Sequence, residues 1–344
     1  MNQRTRKPIV ALTLGDPCGI GPEIVLKALI SGRPQRICRP LVVGERHSLS
    51  RIATELHLRA PIHGCRSLEE AAFAPDRIEL FEVPGTSLAA SALTWGKPSP
   101  QAAEAAREWV RQAALLCLSG RISAMVTGPI NKAALQKIGF SFPGHTEFLA
   151  HLSGSKEYGM MFLGKGIKIM LVTIHESLRS VPSLLTVEKV AAAIRLTHDG
   201  LRSRFGVDHP KIGVAALNPH AGEEGLFGDE EERILIPAIR NANETGTRTT
   251  GPIAADTLFR ELKEGKFDAA VALYHDQALI PLKLLAFGRA VNVTVGLPFV
   301  RTSVDHGTAY DISGKGVADP GSLIEAVRVA VQMIQGSKKA APGG

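Results

Sequence analysis

The chain has 344 residues, 44% of them hydrophobic and 21% charged, an ordinary globular composition with enough length for one large α/β domain or two lobes. Its net charge of +7 comes from scattered Lys and Arg, and the one dense run, Arg4-Thr5-Arg6-Lys7, lies at the N-terminus. A polyanion needs clustered charge and base stacking needs aromatics, which make up only 5%, so no nucleic-acid surface is expected, while small anionic substrates are favoured.

Four cysteines (Cys18, Cys38, Cys65, Cys117) without a C-x-x-C pair argue against a disulfide framework or a Cys-rich zinc site and fit a reducing compartment. The early apolar stretch 9–14 is too short for a signal segment or a membrane span. The expectation is a cytoplasmic protein with no membrane partner.

Along the chain, short apolar runs alternate with amphipathic stretches, the pattern of βαβ units. The runs 9–14, 41–43, 122–127, 167–174, 212–217, 269–274 and 291–295 are continuously apolar, as strands buried on both faces are. Ser99-Pro100 reads as a helix cap with Pro at the first position, and Gly120 as that helix's stop. Thr186 precedes the helical stripe Val187, Val190, Ala191, Ile194, Leu201 and Phe205. Asp229 with Glu232 has the spacing of a capping box. No composition break marks a linker. The whole of 1–344 reads as a single two-lobed catalytic unit, with a core of about 8–335 and a disordered tail over 337–344.

Ligands of open α/β sheets bind beyond the carboxyl ends of the strands. Three histidines fall there: His175 after run 167–174, His220 two residues beyond Asn218, and His275 after run 269–274. Three neutral imidazoles suit zinc or a related divalent metal and leave one coordination position open. His198 lies on an apolar helix stripe and reads as a core or boundary residue. His47, His57, His63, His151 and His209 read as surface residues, and His306 is open to either reading.

A second set suits an anion. His145 and Thr146, in PGHTE, precede a helical stretch whose free amides favour negative charge. Lys283 lies eight residues after His275, Asn292 falls in the next strand, and Arg301 follows in a loop. Arg as a fork, Lys as a point charge, and Asn and Thr as neutral donors match a phosphate and a carboxylate. The loop GDPCGIGPE (15–23) follows the first strand, but its spacing is not G-x-G-x-x-G, and Asp16 and Glu23 would repel a pyrophosphate; a tight strand-to-helix turn reads equally well. No cofactor-binding residue is assigned.

With these residues assembled, the chain resembles the 4-hydroxythreonine-4-phosphate dehydrogenase family from about residue 8 to 335. The segments that carry the resemblance are GDPCGIGPE (15–23), VTGPINK (126–132), PGHTE (143–147), NPHAGE (218–223), ADTLF (255–259), YHDQ (274–277) and RTSVDHGTA (301–309). Cys18 and Ala278 depart from it, where Ala and Gly are usual. The resemblance implies the α/β fold of isocitrate and isopropylmalate dehydrogenases, two lobes around a cleft. It also implies a homodimer whose site lies at the subunit interface, one histidine being lent by the partner. His175, His220 and His275 would be the metal ligands, and His145, Thr146, Lys283, Asn292 and Arg301 the substrate ligands. The implied activity is metal-dependent oxidation, by NAD or NADP, of 4-phosphohydroxy-L-threonine in pyridoxal 5'-phosphate biosynthesis, with zinc, magnesium or cobalt as the metal. Asp256 and Lys283 are the candidate general bases. A sister group oxidises D-erythronate and D-threonate 4-phosphates. Outside the family, three histidines with an open position would also suit a metallohydrolase, and the anion set a non-catalytic binding protein.

Overall fold

The computed structural model describes residues 7–340, which form two compact units: 7–155 with 297–331, and 156–296 with 332–340. Each unit is a six-strand run of β-sheet with helices packed against it.

In the first unit the strands are β1 (Ile9–Thr13), β2 (Arg39–Gly44), β3 (Ile62–Cys65), β4 (Ile78–Glu82), β5 (Ala124–Thr127) and β12 (Val300–Val304), ordered β3-β4-β2-β1-β5-β12 and all parallel. Val10, Ala11, Leu12, Val42, Val43, Met125 and Val126 are fully buried, as strands covered on both faces must be. The helix Pro100–Leu118 starts as expected: the Ser99 side chain accepts from the Ala102 amide, and Gly120 is left-handed just beyond its end. Its Trp109 is fully buried and donates to Thr86 Oγ1 at 2.8 Å.

The second unit holds β6 (Gly159–Gly164), β7 (Ile167–Leu171), β8 (Lys211–Ala215), β9 (Arg248–Ile253), β10 (Ala269–Ala272) and β11 (Val291–Val295), ordered β11-β6-β7-β10-β8-β9. The β11/β6 and β6/β7 pairs are antiparallel; β7/β10, β10/β8 and β8/β9 are parallel. Its core joins Ile169, Leu171, Leu258, Ala270, Leu279 and Leu282. Thr186 caps the helix Val187–Phe205 by accepting from the Lys189 amide, and Val190, Ala191, Ile194 and Leu201 form its buried face.

Three local expectations are corrected. Asp229 does not cap a helix; it pairs with Arg233 at i,i+4, and the helix that begins at Glu231 has no side-chain cap. Arg301 is in strand β12, not in a loop: it donates to Thr127 Oγ1, and its neighbour Thr302 donates to the Ala326 carbonyl. The end of the chain is ordered as far as described. The last helix, Gly321–Ala340, includes Ser337, whose hydroxyl donates to the Met333 carbonyl, while 341–344 and the basic residues 4–6 lie outside the described residues. All four cysteines are buried free thiols, and burial pushes Cys117 up to about 12. Among the described residues no helix is long and apolar enough to cross a membrane.

Candidate active site

In the second unit β7, β10 and β8 are adjacent and parallel, so their carboxyl ends point the same way and deliver His175, His275 and His220 to one edge of the sheet. The strand ends are laced together. Thr173 donates its amide and hydroxyl to the Leu273 carbonyl at 3.1 and 2.7 Å. Gln277 accepts from the Leu273 amide and donates to the Ala216 carbonyl, both at 2.7 Å. These bonds fix the loops from which the histidines project.

The His175 and His275 rings lie 5.8 Å apart between centroids. Asp276 holds His275 through a 2.7 Å contact to Nδ1, which leaves Nε2 available, as it is in a histidine whose tautomer is set by a second group. His220 is not with them: among the described residues no three His, Cys, Asp or Glu side chains gather at metal-binding distance, and the His220 ring stands 6.3 Å from the Phe227 ring. Its loop is unusual. His220, Ala221, Glu223 and Glu224 all have φ between 45° and 57°, a conformation costing non-glycine residues about 1 kcal/mol or more each. Buried Glu231 holds the loop, its Oε1 accepting from the Leu217 and Asn218 amides at 2.8 Å and its Oε2 from the Asn218 side chain at 2.9 Å. Residue spacing carries no sign of this role for Glu231, nor of Asp276's.

Lys283 is exposed on the same helix as His275, His275–Ala286. Asn292 sits in β11 with a covered Oδ1 that has no hydrogen-bond partner. Asp256 is exposed in the first turn of Ala255–Lys263 and accepts from the neighbouring Thr257 amide.

The other predicted anion ligands meet in the first unit. His145 and Thr146 are the first two residues of the helix His145–Ser153, which the rings of Phe140, Phe142 and Phe148 brace at 5.1–5.5 Å. Arg301 is 2% exposed and donates to Thr127 Oγ1 at 2.7 Å across the β5/β12 pair. Burial pushes its guanidinium down to about 10, against the pull of Glu147. Burial first, and then the Arg301 and Lys132 charges, hold His145 well below the usual imidazole range. Its Nε2 is covered and has no hydrogen-bond partner. A neutral ring beside a buried guanidinium, with an unused ring nitrogen, has the chemistry to receive an anion.

Four amides of the glycine loop 15–23 are already used within the protein, which takes them away from a phosphate. Asp16 N donates to the Pro129 carbonyl, Cys18 N to Asp16 Oδ1, Gly19 N to the Asp16 carbonyl and Ile20 N to the Thr308 carbonyl. A Cβ on left-handed Gly15 would sit 2.3 Å from the Pro129 oxygen, so the glycine serves close backbone approach. Buried Asp16 also accepts from Tyr310 Oη at 2.5 Å, and Lys27 donates to Glu23 and to the Gly316 and Ala318 carbonyls. Among the other histidines, His63 pairs with buried Glu79 at 2.7 Å, and His151 stacks 5.1 Å from Phe142. His198 is half-buried on its helix.

Comparison with known proteins finds close relatives of the whole chain. The family model described as pyridoxal phosphate biosynthetic protein PdxA spans residues 36–330. A 4-hydroxythreonine-4-phosphate dehydrogenase of Desulfosudis oleivorans is 47% identical over 94% of this chain and 96% of its own. An Oceanobacillus iheyensis relative whose name specifies D-threonate 4-phosphate is 42% identical over 96% of this chain and 98% of its own. The crystal structure of the Klebsiella pneumoniae 4-hydroxythreonine-4-phosphate dehydrogenase superposes with a TM-score of 0.87 at 41% identity, covering 96% of this chain and all of that one. The match over residues 36–330 and the relatives spanning nearly the whole chain lead to one conclusion: the chain belongs to the PdxA family of pyridoxal phosphate biosynthetic proteins.

Proposed function

We propose that the chain is a homodimeric cytoplasmic dehydrogenase that oxidises the C3 alcohol of 4-phosphohydroxy-L-threonine with NAD or NADP, its two units working as one catalytic unit. The observation that carries this reading is the convergence of His175 and His275 at the ends of paired strands, in a chain whose relatives bear this activity.

The donor chemistry fits a divalent metal: His175 and His275 from one chain and His220 from a second copy would hold zinc, or else magnesium or cobalt. When bound, such a metal supplies Lewis-acid polarisation of the substrate alcohol. Arg301, His145, Thr146, Lys283 and Asn292 hold the charged ends, and Asp256 or Lys283 takes the hydroxyl proton as hydride leaves C3 for the nicotinamide. The product, 2-amino-3-oxo-4-phosphobutanoate, loses CO₂ to give 3-amino-2-oxopropyl phosphate. A dimer is supported by Ile280, Leu284 and Phe287, 66%, 85% and 85% exposed, which form one apolar stripe beside Lys283.

The second reading, oxidation of D-erythronate or D-threonate 4-phosphate, is favoured by the Oceanobacillus relative. The test is the appearance of reduced nicotinamide at 340 nm with each phosphate under identical metal and cofactor. The reading expects the amino acid phosphate to have the highest kcat/KM. A tenfold preference for the sugar acids, about 1.4 kcal/mol of transition-state binding, overturns it. Hydrolysis with no 340 nm signal indicates a metallohydrolase.

A further inference from the structure

Lys132 belongs to none of the ligand sets above, yet the structure brings it onto the anion seat of the first unit. It opens the short helix Lys132–Lys137, whose start is fixed by Asn131 Oδ1 accepting from the Ala134 amide at 2.7 Å. From there the side chain lies over the entry to the helix His145–Ser153. A Cβ placed on Gly144 would be 3.5 Å from Lys132 Cε, 3.9 Å from its Nζ and 3.6 Å from Glu147 Oε2. The Lys132 side chain is exposed, and no hydrogen bond or ion pair holds its ammonium among the described residues. On the inner side of the same patch are buried Arg301 and the covered, unpartnered Nε2 of His145.

Two cations, a neutral imidazole with an unused nitrogen and one carboxylate make a seat that an anion completes. The number of donors decides which anion. A guanidinium fork matches two oxygens in one plane, and a carboxylate has no more than two. A phosphate monoester presents a third oxygen and a second charge. An ammonium is the donor suited to a single oxygen approached from any direction. We propose that Lys132 is a further substrate-positioning residue, taking the phosphate oxygen that Arg301 and the start of the helix His145–Ser153 leave over, and so selecting a phosphate monoester dianion over a carboxylate. This rests on the reading of the chain as a dehydrogenase of a phosphorylated acid.

The probe that is independent of that reading is inorganic phosphate. Calorimetric titration of the full-length protein should show phosphate binding that weakens at least tenfold in Lys132→Met and recovers in part in Lys132→Arg. In kinetics, Lys132→Met should raise KM for 4-phosphohydroxy-L-threonine at least tenfold while kcat moves less than threefold. The preference for that substrate over 4-hydroxy-L-threonine without its phosphate should shrink by the same factor. A structural role alone would lower turnover of both substrates in proportion and leave that ratio unmoved. Equal phosphate affinity in wild type and Lys132→Met, or an unchanged ratio, overturns the assignment. If the wild type does not oxidise the amino acid phosphate, the dehydrogenase reading fails, and the phosphate titration still decides the role of Lys132.

Discussion

Arg301 shows how a single side chain acquires its chemistry from its surroundings. A guanidinium with 2% exposure, fixed by Thr127, keeps its fork aimed because strand and partner leave it no other rotamer. Arg301→Lys should therefore raise KM for the phosphorylated substrate about tenfold or more, roughly 1.4 kcal/mol, with KM for the nicotinamide unmoved; steady-state kinetics in both substrates decide this. His145 makes a prediction in pH. Burial, then the charges of Arg301 and Lys132, keep the folded ring neutral below the ordinary value of 6.5. Below that pH the unfolded chain binds a proton that the native chain does not, so His145 lowers stability as pH falls under about 6.5. Unfolding free energies at pH 7.5 and 5.5 should converge in His145→Gln relative to wild type; identical pH slopes would show that the ring is not held neutral. That His175 and His275 stand beyond strand ends was legible in the sequence because each follows an apolar run, whereas the place of Arg301 inside a strand was not. Lys132 and Glu231 were not, since nothing in spacing says that a side chain folds over Gly144 or back onto the amides of residues 217 and 218.

At the scale of elements, continuous apolar runs identified β1, β2, β5, β7, β8, β10 and β11. Five strands lay outside those runs: β3 (IHGC), β9 (RTTGPI) and β12 (VRTSV) carry polar or small residues, β4 (IELFE) is interrupted by its acids, and β6 (GMMFLG) is a short apolar run with a glycine at each end. Such strands are strands by pairing, and pairing partners are remote in sequence, as Arg301 opposite Met125 illustrates. The loop at the end of β8 is the element most open to test. Four left-handed non-glycine residues persist there because Glu231 ties down the amides that lead into it. Removing that carboxylate leaves two amides without acceptors, each worth about 1–3 kcal/mol if it stays buried. Glu231→Ala should lower Tm and also weaken metal binding through His220. Metal content unchanged at a lowered Tm would mean that the loop's shape does not matter to the ligand.

The whole molecule raises the question of which histidine a dimer shares. His175 and His275 are side by side in one chain, and His220 is the one left out. If it completes the partner's site, mixing inactive His175→Ala and His220→Ala subunits should give heterodimers with one intact site, and about half the activity of a wild-type dimer. Mixing His175→Ala with His275→Ala should restore nothing, since both lesions fall in the same half-site. Recovery in the second mixture but not the first would reverse the assignment. A charge on the apolar stripe, as in Leu284→Glu, should give monomers by light scattering and abolish turnover together.

The latch around the first glycine loop has a consequence for how the chain is made. Tyr310 reaches Asp16 across 294 positions, and Lys27 reaches Gly316 across 289. Strand β12, which flanks β5, leaves the ribosome long after β1 to β5 have done so. At about 5–20 residues per second, the first loop waits roughly 15–60 s for its partners. During that wait β5 presents an open edge, Asp16 lacks the Tyr310 hydroxyl and Glu23 lacks the Ala318 amide. The second unit's six strands all lie between residues 159 and 295, so its sheet can close while the first unit is still incomplete. Ribosome-bound chains stopped near residue 300 should therefore protect 156–296 from protease and leave 1–155 open to it.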